Sequence, residues 1–402
     1  MILILGMGIS TKGVIRVLEH LKKPYVIYES SIVLSYRFEL IIKSPGVILD
    51  SKIIEYSKNK NVEIVTDVEF ISRYFKRNYI GITGTNGKTT TSVLMSKITG
   101  EIACGNIGYS ICDALMDHKD RYNFICELSS FQLEKTRKFA PYIACILNIN
   151  RAHMDYHGDY QMYQEAKLNL VRNITDGYVV YNFDDDFLQE RLKNHPANKM
   201  TFSINNKLAT CFVRDKYIYF HKKKYLKIKK ISLKGEHNLY NIMAAICMSK
   251  ILDVEDKKIK KTIMEFNGVD YRNQLIKKNV YNDAKSTNPY STLAALRMHD
   301  NCRLICGGYP RNEDLSILDG DVYRLNKVYC YGKGKDIIKE YMEKKGVKVD
   351  SFDTLEEACL KAKKEKKKIP LIYSPMMASF DQYQSYIERG KEFNTYYKKK
   401  LY

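Results

Sequence analysis

Short apolar runs alternate along the chain with segments that have a helical pattern of apolar and polar residues. The clearest runs, which have the length and composition of buried strands, cover residues 2–5, 25–28, 40–42, 78–80, 124–127, 144–148, 279–281, 303–306, 328–331 and 371–373. Most of them end in a glycine turn or a polar loop. This alternation predicts the α/β class, with parallel sheets covered by helices and ligand-binding loops at the carboxyl ends of the strands.

The pattern divides into three segments, because 402 residues are too many for one compact core. Residues 1–77 alternate strands and helices and predict a small Rossmann-like domain. Residues 78–268 open with a glycine-rich loop and contain a charged, strand-rich stretch at 177–232, which predicts a central P-loop domain with a parallel sheet. Residues 269–402 alternate strands and helices again and predict a second Rossmann-like domain.

The loop that opens the second segment has the residues of a triphosphate-binding site. It reads Gly81-Ile82-Thr83-Gly84-Thr85-Asn86-Gly87-Lys88-Thr89-Thr90-Thr91, between a predicted strand and a predicted helix. Glycines let the backbone turn its N–H groups toward phosphate, and the helix N-terminus adds partial positive charge. Lys88 would reach the β- and γ-phosphates, and the Thr89 hydroxyl would bind Mg²⁺. Ile82 stands where the usual loop has its first glycine, so an ordinary glycine turn is the alternative.

A second glycine turn follows the first predicted strand. It contains Gly6, Gly8 and Gly13, and Glu29 follows about twenty residues later, at the end of the next strand. Thr11 occupies the third glycine position of the dinucleotide fingerprint. The turn therefore favours a phosphate- or ribose-binding role over a nicotinamide enzyme. A Ser-Pro-Gly turn at 44–46 follows the third strand.

The formal net charge of +20 raises the question of a nucleic-acid partner. Lysine clusters lie at 222–224, 227–230, 257–261 and 361–368, but they contain almost no arginine, which is the residue that reads base edges. A lysine-rich composition along the whole chain and an anionic substrate account for the charge better. We therefore expect no nucleic-acid partner.

The remaining bulk properties indicate an ordinary globular protein, with 45% hydrophobic and 28% charged residues. No segment approaches the roughly 18 apolar residues that span a bilayer. The apolar N-terminus runs into the first glycine turn without a basic leader. We expect a cytoplasmic protein with no membrane partner. The ten cysteines have no paired spacing, which favours free, buried thiols over disulfides or a zinc site.

Three titratable side chains follow strands of the central segment. Glu127 ends one strand, where its carboxylate could complete the coordination of Mg²⁺ beside Thr89; a solvated acid near a helix N-terminus is the alternative. His153 follows the next strand, although a lone histidine is more often structural. Lys167 lies on a predicted helix near the same end of the sheet, where a lysine is usually only solvated.

Two polar loops follow strands of the third segment. Residues 282–289 read Asn-Asp-Ala-Lys-Ser-Thr-Asn-Pro, and residues 374–383 read Ser-Pro-Met-Met-Ala-Ser-Phe-Asp-Gln-Tyr. Because loops at the carboxyl ends of parallel strands meet at one edge of a sheet, these loops indicate a shared site.

The order of these motifs resembles that of the Mur peptide ligases of peptidoglycan synthesis. The matching motifs are 84–90, 127–133, Asn148 with 153–155, Lys167, Gly235 with 237–238, 282–288 and 379–383. They extend over nearly the whole chain, and the shifted first glycine is the family's own form of the nucleotide loop. Within the family, residues 127–133 and the ending 378–393 are similar to the D-glutamate-adding ligases.

The resemblance implies a monomer that acts on small molecules. The implied reaction is ATP-dependent ligation of D-glutamate to UDP-N-acetylmuramoyl-L-alanine through an acyl phosphate. Three alternatives stay open: another Mur-type amino-acid ligase, a folylpolyglutamate synthase, and a nucleotide-gated regulatory homologue without ligation. The ending at 378–393 argues against the first two.

The resemblance also implies roles for individual residues. The ATP-binding positions of the family correspond to Gly84, Thr85, Asn86, Gly87, Lys88, Thr89, Thr90, Asn241, Arg272 and Asp283. The catalytic positions correspond to Lys88, Glu127, His153 and Lys167. Two Mg²⁺ ions are implied, with Thr89, Glu127, His153 and a carbamylated Lys167 as the protein residues that hold them.

Substrate positions are implied in the same way. The positions that hold the UDP substrate correspond to Glu29, Ser30, Ser44, Gly46, Asn106, Ser129 and Gln132. The positions that hold the incoming D-glutamate correspond to Lys285, Thr287, Ser379 and Tyr386. Several stretches differ from the family pattern, including Ala284 and Ser286 in the 282–288 motif. Arg151-Ala152 stands where an acid is more common, and the loop 307–311, Gly-Gly-Tyr-Pro-Arg, lacks the usual acidic or lysine-bearing residues.

Overall fold

A computed structural model describes residues 1–29, 37–311, 313–365 and 368–397 of the chain. These residues form two compact units, Met1–Phe266 and Asn267–Tyr402. The first unit contains two β-sheets and the second contains one. The predicted α/β class with parallel sheets is confirmed. The predicted domain boundaries at 77/78 and 268/269 stay predictions.

The first sheet of the first unit has four parallel strands in the order β2-β1-β3-β4. All four residues of β1 are buried, as expected for a parallel strand covered on both faces. The elements are β1 (Ile2–Leu5), α1 (Ile9–His20), β2 (Tyr25–Ile27), β3 (Leu40–Lys43), α2 (Ser51–Lys60), β4 (Ile64–Val65) and α3 (Asp67–Tyr74). The carboxyl ends of β1, β2 and β3 therefore meet at one edge.

The second sheet has nine strands in the order β13-β12-β11-β10-β9-β8-β5-β7-β6. The strands are β5 (Asn78–Thr83), β6 (Ile102–Gly105), β7 (Asn123–Glu127), β8 (Ile143–Ile146), β9 (Tyr178–Asn182), β10 (Asn198–Ser203), β11 (Cys211–Arg214), β12 (Tyr217–Phe220) and β13 (Lys223–Lys227). Pairing is parallel from β6 to β11, and β12 and β13 add an antiparallel hairpin. This hairpin confirms the strand-rich stretch predicted at 177–232.

The strand β5 lies between β7 and β8 in the sheet, and eight α-helices follow it along the described chain of the first unit. They are α4 (Lys88–Thr99), α5 (Ile111–Asp117), α6 (Ser130–Leu133), α7 (Met154–His157), α8 (Tyr160–Leu168), α9 (Asp186–Leu192), α10 (Glu236–Ile251) and α11 (Asp256–Glu265). The direction in which strands are added reverses at β5, because β6 and β7 lie on one side of β5 and β8 and the later strands lie on the other. A crevice at the carboxyl end of the sheet is the usual ligand site at such a point.

The second unit has a six-stranded sheet in the order β14-β15-β19-β16-β17-β18. Its elements are β14 (Gln274–Lys277), β15 (Val280–Asn282), α12 (Pro289–Leu296), β16 (Cys302–Gly307), β17 (Leu325–Tyr331), α13 (Lys335–Lys344), β18 (Val349–Phe352), α14 (Leu355–Lys364), β19 (Leu371–Met376) and α15 (Tyr386–Tyr397). Only β14 pairs antiparallel. The strand β19 runs to Met376, so Ser374 belongs to the strand and not to the predicted loop.

The state of the cysteines and the length and polarity of the helices were also considered in the sequence analysis. All ten cysteines are free and buried. Across the described ranges, every helix is too short or too polar to cross a membrane.

Candidate active site

The predicted nucleotide loop joins β5 to α4 at the centre of the nine-stranded sheet. Gly87 adopts a left-handed conformation with φ +85°, and a Cβ there would lie 2.2 Å from the Oδ1 atom of Asn241. Gly84 has φ +154° and packs against Leu147 and the carbonyl of Asn148. A Cβ at Gly87 would collide with Asn241, and a Cβ at Gly84 would lie only 3.0 Å from Leu147, so both positions favour glycine. The same contact brings Asn241, a predicted ATP-binding residue, to the loop.

Two lysine ammonium groups converge on this loop. The Nζ atom of Lys88 donates to the carbonyl oxygens of Gly84 (2.7 Å) and Thr85 (2.9 Å). The Nζ atom of Lys167 also donates to Gly84 O, at 2.9 Å. Lys167 is only 1% exposed, so the alternative of a solvated lysine is wrong. Burial, and secondly the positive charge of Lys88, hold the pKa of Lys167 well below its usual value, which favours the neutral amine.

The segment that follows β8 also forms hydrogen bonds with the loop. The Thr85 hydroxyl donates to Asn150 O and lies 3.0 Å from the hydroxyl of Tyr163 on α8. The Oδ1 atom of Asn148 accepts from the backbone N–H of Asn86 at 3.0 Å. These hydrogen bonds hold the backbone of the loop in one conformation, so its shape is preorganised by the protein's own contacts.

Glu127 ends β7 and lies at the same edge of the sheet. Its Oε1 atom accepts from Asn106 Nδ2 at 3.1 Å, whereas its Oε2 atom is buried without a hydrogen-bond partner. The side chain is 2% exposed, so the alternative of a solvated acid is wrong. A buried carboxylate oxygen without a donor is costly unless a cation binds it. Glu127 therefore fits a cation site, and Asn106 orients it.

Among the residues that the structure describes, no three histidine, cysteine, aspartate or glutamate side chains form a metal-binding group. A metal ion beside Glu127 would therefore need ligands of other kinds. Hydroxyl and phosphate oxygens, which Mg²⁺ prefers together with one or two carboxylates, meet this need. The Thr89 hydroxyl belongs to a buried residue in the first turn of α4.

His153 caps α7 in a left-handed backbone conformation with φ +58°. This region costs roughly 1–2 kcal/mol for a residue with a Cβ atom, and such strain concentrates at functional sites. Its exposed ring lies edge-on to Phe131 with a centroid distance of 5.0 Å. Phe131 belongs to the motif that begins at Glu127, so the structure brings these two predicted motifs together.

The sequence analysis missed His157, which lies one turn after His153. Its ring stacks on Phe131 at 5.4 Å and 14°, and its Nε2 atom lies 3.0 Å from the Ser130 hydroxyl. Burial lowers the pKa of His157, although Glu134 opposes this shift. The spacing of four residues between the two histidines, which places both on one side of a helix, was the available signal.

Ser129 and Gln132 form a capping box at the start of α6. Gln132 is 2% exposed, and its amide bonds to the backbone N–H of Ser129 and to the carboxylate of Asp67. Because the protein itself uses these amide groups, the observed role of Gln132 is to hold the 127–133 segment in place.

The two turns of the first sheet pack against each other. A Cβ on Gly8 would lie 2.7 Å from the Ser44 hydroxyl, and Gly6 has φ +80° beside Val47. Glu29 is exposed just after β2, and Gly46 is exposed in the turn after β3. The structure thus places Glu29, Ser44 and Gly46 at the carboxyl edge of one parallel sheet. Ser30 lies outside the described residues.

The predicted amino-acid site lies in the second unit. Thr287, Ser379 and Tyr386 line one cavity of about 240 Å³. The Lys285 ammonium stands 5.8 Å from the centre of the Tyr386 ring. Arg311, which the sequence analysis did not assign, lines the same cavity, with its guanidinium 5.0 Å from the Phe380 ring. Its position shortly after the Gly307-Gly308 turn, at the end of a predicted strand, could have identified Arg311 as a candidate from the sequence.

Arg272 and Asp283 also belong to the second unit. Arg272 is exposed, whereas the Asp283 carboxylate is buried and accepts from the Ser286 and Ser374 hydroxyls and from Asn273 N–H. Burial raises the pKa of Asp283 to about 6, and these hydrogen bonds oppose the shift. The carboxylate therefore organises the strand ends around it, and its predicted contact with ATP stays a prediction.

Comparison with known proteins decides the family. Residues 82–249 match the Mur ligase middle domain. Over 375 residues the chain is 34% identical to UDP-N-acetylmuramoylalanine--D-glutamate ligase of Bacillus cereus (strain G9842), which covers 90% of this chain and 83% of the relative. This chain belongs to the Mur ligase family.

Other members of the family agree with this assignment. The ligase of the same description from Oenococcus oeni (strain ATCC BAA-331 / PSU-1) is 33% identical over 369 residues, which is 89% of this Mur ligase and 84% of the relative. The resemblance drawn from the motifs is confirmed.

Solved structures of Mur ligases share the fold. UDP-N-acetylmuramate-alanine ligase MurC from Thermotoga maritima superposes with a TM-score of 0.58 at 17% identity, over 98% of each chain. MurF ligase from the same organism, in complex with ADP, superposes with a TM-score of 0.57 at 16% identity, over 89% of each chain. At these identities the likeness concerns the fold alone.

Proposed function

We propose that this Mur ligase joins D-glutamate to UDP-N-acetylmuramoyl-L-alanine and converts ATP to ADP and phosphate. The observation that carries the proposal is the pairing of a preorganised Gly84–Lys88 loop with a buried, unpaired carboxylate oxygen on Glu127. The names of the curated relatives point to the same reaction. We further propose that the enzyme is a cytoplasmic monomer with no macromolecular substrate.

ATP is the first substrate, and the residues that would bind it are the ten positions named above, from Gly84 to Asp283. Lys88 would turn from the carbonyls of its own loop to the β- and γ-phosphates, which compensate for the hydrogen bonds it gives up. Asn241 would remain against Gly87 and shape the wall of the nucleotide pocket.

Mg²⁺ would be held by Thr89, Glu127, His153 and a carbamylated Lys167, with two ions in all. When bound, the ions would offset the negative charge that develops as phosphate is transferred. The orphaned Oε2 atom of Glu127 supports this assignment directly.

A carbamate on Lys167 would turn a buried cation into a buried anion. The neutral amine nitrogen forms a C–N bond to carbon dioxide and loses a proton, which leaves the carbamate. Burial and the neighbouring charge of Lys88 favour the neutral amine that this reaction needs. A carbamate would also form an ion pair with Lys88, whose ammonium donates to the same Gly84 carbonyl as the Lys167 nitrogen.

The UDP substrate would bind across the first sheet, the loop after β6 and the start of α6, at Glu29, Ser30, Ser44, Gly46, Asn106, Ser129 and Gln132. Its L-alanine carboxylate would accept the γ-phosphoryl group of ATP and become an acyl phosphate. The D-glutamate amine would then attack the acyl carbon, and phosphate would leave as the amide forms. Holding amine and acyl phosphate together supplies the main rate advantage. We propose His153 as a candidate to accept a proton from the amine.

D-glutamate would bind in the cavity lined by Thr287, Ser379 and Tyr386, beside Lys285. We add Arg311 to this site, because a substrate with two carboxylates requires more than one cation. A guanidinium can bind a carboxylate through two parallel hydrogen bonds. Arg311 would thus replace the lysine that the 307–311 loop lacks.

Release of ADP from purified protein, ATP, Mg²⁺ and UDP-N-acetylmuramoyl-L-alanine tests the proposed function. We expect turnover with D-glutamate and none with L-glutamate, L-lysine or meso-diaminopimelate. Turnover with a different amino acid would instead assign the enzyme to another Mur-type amino-acid ligase activity. Turnover with a folate substrate instead would support a folylpolyglutamate synthase, and ATP binding without any turnover would support a regulatory homologue.

Replacing Arg311 with methionine should raise the KM for D-glutamate by about ten- to a hundredfold, because a charged hydrogen bond contributes about 1.5–3 kcal/mol. The KM for ATP should stay unchanged. Steady-state kinetics with each substrate varied in turn measures both values. Arg214→Met, which removes an exposed arginine paired with Asp215, is the matched control. An unchanged KM for D-glutamate in Arg311→Met would show that Arg311 does not bind this substrate.

A further inference from the structure

Lys43 is a charged side chain with no exposed surface, at the end of β3 and directly before the 44–46 turn. Its ammonium donates three hydrogen bonds of 2.8 Å, to Pro45 O, to Glu134 Oε1 and to the hydroxyl of Tyr156. All three N–H donors are therefore used. A buried ammonium is tolerated only when it is paired and hydrogen-bonded in this way, so its geometry is tightly constrained.

Tyr156 connects this lysine to the catalytic region. Its hydroxyl donates to Glu134 Oε1 at 2.7 Å and also approaches Pro45 O, at 3.4 Å. Its ring meets Phe131 edge-on, with a centroid distance of 4.5 Å and an angle of 90°. Tyr156 lies in α7, the helix that His153 caps, and Phe131 contacts the His153 ring. We call Lys43, Glu134 and Tyr156 the Lys43 junction.

We propose that the Lys43 junction couples occupation of the 44–46 turn by the uridine nucleotide to the placement of His153, through the Phe131 ring that contacts both Tyr156 and His153. This inference rests on the proposed function, which puts the nucleotide on Ser44 and Gly46. Lys43 and Tyr156 are positioning residues in this scheme, because neither is proposed to touch the reacting atoms.

The coupling follows from shared atoms. The Pro45 carbonyl belongs to the nucleotide turn itself, and the same Lys43 ammonium that holds it also holds Tyr156. A shift of the turn on nucleotide binding would move the ammonium, since all of its donors are engaged. The ammonium cannot move without moving the Tyr156 hydroxyl or breaking its own ion pair with Glu134. A shift of the 44–46 turn would therefore change the position of α7.

The first variant that tests the junction is Tyr156→Phe, which removes one hydroxyl and keeps the ring on Phe131. We expect the Kd and the KM for UDP-N-acetylmuramoyl-L-alanine to rise about tenfold, as for a lost hydrogen bond to a charged group, with the KM for ATP unchanged. Calorimetry with the full chain and this nucleotide gives the Kd. Hydrogen exchange should show that the nucleotide protects α7 in the wild type and no longer does so in the variant.

The matched control is Tyr225→Phe. The Tyr225 hydroxyl donates to Asp256 at 2.9 Å, and Lys250 pairs with the same carboxylate at 3.1 Å, so this trio has the chemistry of the Lys43 junction at another place. We expect this control to leave kinetics and α7 protection unchanged. A second variant, Glu134→Gln, keeps the shape of the junction, removes its counter-charge and should reproduce the effects of Tyr156→Phe.

Two outcomes would overturn the coupling. Wild-type values of KM and of α7 protection in Tyr156→Phe would show that the junction is structural only, while the proposed function would stand. Failure of the wild-type chain to bind UDP-N-acetylmuramoyl-L-alanine would reject the nucleotide site itself, and the coupling with it.

Discussion

Replacing Lys167 with alanine is expected to lower kcat for ligation by at least about a thousandfold, while ATP still binds. Removal of one preorganised electrostatic group from an active site commonly costs a hundred- to a thousandfold, and Lys167 would supply both a metal ligand and a charge. ATP affinity should change little, because the loop glycines and Lys88 remain. ADP release measures the first effect, and equilibrium binding of ATP measures the second.

Chemical rescue of the variant distinguishes a role for carbamylated Lys167 from a role for the unmodified lysine. Bicarbonate together with a short carboxylic acid should restore part of the activity of Lys167→Ala, because a free carboxylate can occupy the space of the carbamate. Lys199→Ala is the control, since the Lys199 ammonium also donates to backbone carbonyls, those of His195 and Ala197. Full activity of Lys167→Ala without any additive would eliminate the carbamate role.

Replacing Lys88 with alanine should weaken ATP binding by about ten- to a hundredfold and lower kcat as well. The variant loses charged hydrogen bonds to phosphate, each of which contributes about 1.5–3 kcal/mol. UDP-N-acetylmuramoyl-L-alanine should bind as in the wild type, because its proposed contacts, on the first sheet, after β6 and at the start of α6, do not include Lys88. Calorimetric titration with ATP, and separately with the UDP substrate, distinguishes the two effects.

Lys97 provides the matched control for Lys88. It lies exposed near the other end of the same helix α4, so Lys97→Ala removes an equal charge far from the loop. ATP affinity should be unchanged in this control. Equal ATP affinity in Lys88→Ala and the wild type would refute the assignment of the nucleotide loop.

Each of the ten strand runs predicted from the sequence corresponds to a strand with small errors at its ends, whereas β4, β6, β14 and β18 were not predicted. The run 2–5 is β1 without change, and the run 78–80 is the first half of β5. Apolar runs of this kind report burial on both faces of a parallel strand, which is a local property of the chain. Strand ends were less accurate, as at Ser374, because the end of a strand depends on pairing with its neighbour.

The sequence proposed which residues form the candidate site but did not show how those residues are buried or hydrogen-bonded. The motifs included Glu127 and Lys167, but from the sequence alone each of these side chains could also have been exposed to solvent without a functional role. Only packing shows that Lys167 shares the Gly84 carbonyl with Lys88 and that one oxygen of Glu127 lacks a partner. Arg311 was missed for the same reason, because its loop differs from the family pattern and only the fold brings it to the cavity of Thr287 and Ser379.

The sequence by itself determined the α/β class, the nucleotide loop and the order of motifs that identifies a Mur ligase. These features depend on residues close together in the chain, such as the glycines that precede Lys88 and the polar loops that follow apolar strands. The tertiary structure alone decided which side chains are buried, which share a partner, and that Lys43 connects the 44–46 turn to Tyr156. The physical reason is that hydrogen bonding and desolvation depend on the three-dimensional surroundings of each group, and those surroundings come from residues far apart in the sequence.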